Sequence, residues 1–138
     1  MKLILKTLLF LSIIAVTVPF CGKKGGTPPP PPPPAEENLV IALDPDPGST
    51  TVKSFGASYE FKVIIQSKIP AQGVSINVSY RKDSDNSVIF SQTLESTTTP
   101  VSVTVNNITA DVGTVTVTVT SKSKASNTAT KTFKLVLK

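Results

Sequence analysis

The sequence contains no histidine and no tryptophan, and it has a single cysteine, at position 21. Without histidine the chain lacks the side chain that most often acts as a general base near neutral pH and as a metal ligand. Ser-His and Cys-His nucleophile pairs are excluded, and a zinc site is left without its usual donors. One cysteine permits no internal disulfide. The expectation is a non-enzyme with no catalytic residue, no metal site and no cofactor; a centre built on carboxylates alone is the remaining route to catalysis.

A concentration of positive charge is also missing. The formal charge is +5, but Lys2, Lys6, Lys23 and Lys24 precede the part that reads as folded. From Glu36 onward ten Lys and Arg stand against nine Asp and Glu, with no cluster of either sign. Nucleic-acid binding, which needs basic residues gathered on one face, is not expected.

A long apolar span is absent too. Lys2 and Lys6 precede an uncharged run, Thr7 to Phe20, which has the charged start and apolar middle of an export signal over residues 1–20. The uncharged stretch from Thr7 to Gly22 covers sixteen residues, short of the roughly 20 needed to cross a bilayer core. An uncleaved anchor with Lys6 snorkelling to the interface is the alternative.

Cys21 follows this run directly, with Val18 three positions before it. In these residues the sequence resembles bacterial lipoproteins, although Pro19 and Phe20 depart from the small residues usual beside the cut. The resemblance implies that Cys21 becomes the first mature residue and carries lipid on its sulfur. The partner would then be a membrane, and the location the cell envelope. Gly22, in place of the aspartate that retains many such proteins at the inner membrane, leans toward the outer membrane. Cleavage after Thr17, leaving Cys21 a free thiol, is the alternative.

Residues 21–37 read as a tether. Gly22, Gly25 and Gly26 loosen its first part, and the unbroken run Pro28 to Pro34 removes seven amide donors. Such a run forms polyproline II, a stiff spacer of roughly 22 Å at about 3.1 Å per residue.

From residue 38 to 138 the apolar residues recur with period two, the mark of half-buried strands. The pattern predicts strands at Asn38–Leu43, Tyr59–Gln66, Val74–Arg81, Ser87–Leu94, Val101–Asn106, Thr114–Thr120 and Thr132–Leu137. Val88 and Phe90 are expected on one face of the fourth, with Ile89 on the other. Turn residues separate them: Asp44-Pro45-Asp46-Pro47-Gly48, Ile69-Pro70 with Gly73, Asp83 to Asn86, and Ser126-Asn127. Seven strands in one domain predict an all-β, antiparallel sandwich. In strand number and rhythm this part resembles immunoglobulin-like and fibronectin-III-like modules, and it looks like the small Ig-like modules of Bacteroidota surface lipoproteins. That likeness implies a spacer or partner-binding role toward an envelope or extracellular protein.

Few residues suggest a ligand. Asp44 with Asp46, and Asp83 with Asp85, have alternate spacing that suits calcium, but they sit in turns and nothing adjacent completes six to eight oxygens. Tyr59, Phe61, Tyr80, Phe90 and Phe133 share parity with core positions. Of the aromatic residues from 38 onward only Phe55, beside Gly56, lies outside a strand, and it is the candidate ligand contact. Thr114, Thr116, Thr118 and Thr120, beside Thr130 and Thr132, form a row of hydroxyls suited either to strand propensity or to a repeating polymer. A glycan is the alternative ligand, through Phe55 and this row.

Overall fold

The computed structural model describes residues 35–138; the expected leader, Cys21 and the run Pro28–Pro34 lie outside them. Within this range the chain is all-β, with eight strands in two sheets. They are β1 (Ile41–Asp44), β2 (Val52–Ser54), β3 (Ser58–Ile65), β4 (Val74–Lys82), β5 (Val88–Ser96), β6 (Val101–Asn106), β7 (Gly113–Ser121) and β8 (Thr128–Leu137).

Alternation decides which faces close on one another. Along β7, Val115, Val117 and Val119 have no exposed surface, while the intervening threonines are half-exposed. Along β4, Val74, Ile76, Val78 and Tyr80 are likewise fully buried. Each fully buried side chain of this size contributes about 1.5–3 kcal/mol. The smaller sheet has the order β1-β3-β6 and the larger β2-β8-β7-β4-β5. Their inner faces share one core, and an aromatic trio spans it: Phe61 of β3 meets Phe133 of β8 edge to face at 5.5 Å, and Tyr59 stands 6.0 Å from Phe133.

The expectation of seven antiparallel strands is corrected to eight, one pair of which is parallel. Pro45 and Pro47 have no amide to donate to a ladder. After them the chain turns at Gly48, whose φ is 58°, and re-forms as β2, parallel to β8 in the other sheet. Three residues are too few to show a period, so β2 leaves no alternation in the sequence. The remaining pairings are antiparallel.

The fourth predicted strand needs a second correction. Tyr80 pairs with Phe90 but Arg81 pairs with Val88, so Ile89 is the extra residue of a bulge. The bulge puts Val88 on the outer face, 51% exposed, and Phe90 on the inner one. Phe90 and Tyr59 are half-buried against the core rather than within it. Phe61, Tyr80 and Phe133 are buried as expected.

Strand directions sort the loops into two ends. Residues 35–40, 66–73, 97–100 and 122–127 share one end; 55–57, 83–87, 107–112 and Lys138 share the other.

Candidate interaction surface

Of the two site residues read from the sequence, Cys21 lies outside the described residues. Phe55 stands in the loop between β2 and β3, 83% exposed. The loop is held by Ser54, which is buried and donates its hydroxyl within 2.7 Å of the Gly56 carbonyl and 2.9 Å of the Ser58 carbonyl. The Lys138 ammonium lies 4.5 Å from the ring centroid of Phe55, covering one face of the ring and leaving the other to solvent.

The threonines assemble into a grid on the outer face of the larger sheet. Thr130, Thr118, Asn77 and Thr93 lie side by side across β8, β7, β4 and β5, and Thr132, Thr116, Ser79 and Ser91 form the next row. A third row runs Thr128, Thr120, Ser75, Glu95. Hydroxyls of Thr118 and Thr130 stand 3.4 Å apart, those of Thr120 and Thr128 3.2 Å, and Asn77 Nδ2 donates to Thr93 at 3.0 Å. The structure does not bring Phe55 to this grid. Lys138, against which Phe55 packs, lies six residues beyond Thr132, about 20 Å along the strand.

The aspartates are engaged locally. Asp46 Oδ1 accepts from the Gly48 amide at 3.0 Å, and Asp85 Oδ1 from the Ser87 amide at 2.9 Å. Asp83 accepts from the Thr114 hydroxyl and the Lys134 ammonium, each at 2.6 Å. These two hydrogen bonds hold the Asp83 carboxyl below its ordinary pKa, Lys134 having the larger effect. Hydrogen bonds from Ser87 do the same for Asp85. The Lys82 ammonium, bonded to Asp111 at 3.0 Å, is raised above its ordinary value. Among the described residues no three His, Cys, Asp or Glu side chains gather where they would hold a metal ion.

Two features are not carried by any local motif. The first is Asn127, which is buried between β7 and β8. Its Oδ1 accepts from the Leu39 amide at 2.8 Å, and its Nδ2 donates to Glu36 Oε1 at 2.6 Å and to the Glu37 carbonyl at 2.8 Å. One side chain thus fixes where the segment after the proline run enters the fold. In the sequence it reads only as a turn residue, because its partners lie 88 to 91 positions away.

The second feature is the margin of the larger sheet. β5 spans nine residues, pairs with β4 on one side, and has no strand on its other side among the described residues. The opposite margin, β2, is three residues long. Unpaired amides and carbonyls along a margin are a template for another strand. No family model, curated protein or solved structure matches the chain.

Proposed function

We propose that the chain is a non-catalytic, lipid-anchored protein of the bacterial cell envelope, placed at the outer membrane, whose domain at residues 38–138 is an Ig-like spacer and protein-interaction module. The observation that carries this reading is the position of Cys21, directly after the uncharged run Thr7–Phe20 and directly before a glycine-containing and then all-proline tether. Several acyl chains at about 0.8 kcal/mol per buried methylene hold a protein on a bilayer durably, where one chain binds reversibly. The tether then acts as a stiff stand-off.

The sheet order supports the Ig-like part of the reading. Taking β1, β3, β4, β6, β7 and β8 as strands A, B, C, E, F and G, one sheet holds A, B and E and the other holds G, F and C, with β5 added beside C. Tyr80 supports it as well: its buried hydroxyl donates to the Leu135 carbonyl at 3.3 Å, so an aromatic-to-backbone bond locks the larger sheet without a disulfide.

Intact mass of the native mature protein tests the anchor. The expected result is a chain beginning at Cys21 with the added mass of several acyl groups, extracted only by detergent. A water-soluble, unacylated chain cut at a different bond overturns it.

The exposure of Phe55 favours a second reading, an adhesion domain that stacks a sugar on the open face of that ring. Glycan-array binding that disappears in Phe55→Ala is its expected result, and an array with no binder rejects it.

A further inference from the structure

We infer that the free margin of β5 pairs with β5 of a second copy of this chain, antiparallel about a two-fold axis at Gln92, joining two five-stranded sheets into one. This rests on the reading of the domain as a protein-interaction module, and it names the surface and the partner.

Sheet margins are ordinarily blunted by shortness, proline, lysine or a bulge. The margins β1, β2 and β6 are four, three and six residues long. β5 has nine residues, no proline, no lysine and one charge, Glu95. Its single bulge falls at the Val88 end, which leaves Phe90 to Ser96 in unbroken register with β4. The seven-residue stretch is therefore an open, regular template.

The sequence of that stretch says which strand fits it. Residue types mirror about Gln92: hydroxyls at Ser91 and Thr93, large apolar side chains at Phe90 and Leu94. In an antiparallel pair centred there, Phe90 of one copy faces Leu94 of the other, Ser91 faces Thr93, and Gln92 faces Gln92. Glu95 falls opposite Ile89, so no like charges meet. A surface that is its own complement under two-fold rotation is what an isologous dimer requires. Phe90 and Leu94 are half-buried on the inner face, beyond β6, with which β5 has only slight contact. Pairing removes the remainder of both from water. The adjoining outer face, rows of Ser, Thr and Asn, continues from one copy into the next without repulsion.

The test uses the purified native full-length chain in detergent. Sedimentation equilibrium is expected to give two chains per particle for the wild type. Gln92→Lys sets two ammonium groups against each other at the axis and is expected to weaken association at least about tenfold. Because Gln92 is exposed, the circular dichroism of the variant should not change, and its melting should match the wild type at dilutions where both are single chains. Gln92→Cys under mild oxidation is expected to give a disulfide joining the two substituted positions, since directly opposed Cβ atoms approach within bonding range. Thr130→Cys, on the far side of the sheet, should not cross-link. A wild type that stays a single chain at every concentration overturns the inference, as does a dimer indifferent to Gln92→Lys. An acylated single chain that captures an envelope protein overturns self-pairing and leaves the interaction reading standing. An unacylated dimer sensitive to Gln92→Lys does the reverse for the anchor.

Discussion

Gly113 lies against the ring of Tyr80, with no room between them for a side chain. A Cβ at position 113 would stand 2.5 Å from Cε2 of Tyr80 and 2.5 Å from the Arg81 carbonyl oxygen. The two residues belong to neighbouring strands: Gly113 pairs with Lys82, so its Cα is where the β4 chain and the Tyr80 ring converge. The ring occupies that space because its hydroxyl reaches the Leu135 carbonyl at 3.3 Å. Glycine here is required by a close approach, not by an unusual backbone angle.

Gly113→Ala is therefore expected to destabilise the domain by about 1–3 kcal/mol, the usual cost of forcing extra volume into a packed site. Tyr80→Phe is expected to cost about 0.5–1.5 kcal/mol, through the lost hydrogen bond alone. Because the clash is shared between ring and backbone, Tyr80→Leu combined with Gly113→Ala should cost less than the sum of the single changes, by at least about 0.5 kcal/mol. Urea denaturation of the four variants measures this; strict additivity would show that the ring and Gly113 do not constrain each other.

Asn127→Ala removes three hydrogen bonds from Glu36, Glu37 and Leu39 at once. The cost is expected to be about 1–3 kcal/mol, because the Leu39 amide loses its partner in a buried setting. Asn127→Asp keeps an acceptor for that amide but loses both donated bonds and sets a carboxylate beside Glu36, so it should be no better than alanine. Amide exchange at Leu39 is the direct readout. Fast exchange in both variants, with the strand amides of β7 unchanged, is the expected outcome; unchanged exchange at Leu39 would mean that Asn127 does not hold the entry segment.

The strands of this fold were legible because the valine and aromatic residues in β3, β4 and β7 alternate with polar ones, Ile64 being the exception, and burial follows the alternation directly. What alternation does not encode is which strands are neighbours. β3 sits beside β6, and β8 beside β2, through pairings no local pattern carries. The parity of β5 failed for a different reason: a bulge adds one residue, and every side chain before it changes face, so Val88 reads as inner and lies outer. Phe55 was legible as an exposed ring because it stands outside any period. Asn127 and the free margin of β5 were not, since both depend on what lies opposite in space.

The pH dependence of stability follows from three exposed charged groups and the lack of histidine, with the Tyr59 hydroxyl, raised by burial, adding to the decline on the alkaline side. Asp83 and Asp85 titrate below their ordinary range in the folded state, because hydrogen bonds from Lys134 and Thr114, and from Ser87, favour the charged carboxylates. In acid the unfolded chain takes up their protons first, so their contribution is full above about pH 5 and is lost as pH falls through the lowered folded values. Lys82 is raised by Asp111; its contribution is full below its ordinary value of 10.5 and is lost as pH climbs through the raised one. Between about pH 5 and 9 none of the three changes charge, and no histidine is present to do so. The thermal midpoint is therefore expected to be level across that window and to fall on either side of it. All three groups are exposed, so salt should shallow both declines. Asp83→Asn should flatten the acid side and leave the alkaline side unchanged. Melting curves at low and high salt across the range decide it, and a midpoint that moves by several degrees between pH 6 and 8 would contradict this assignment of the titrating groups.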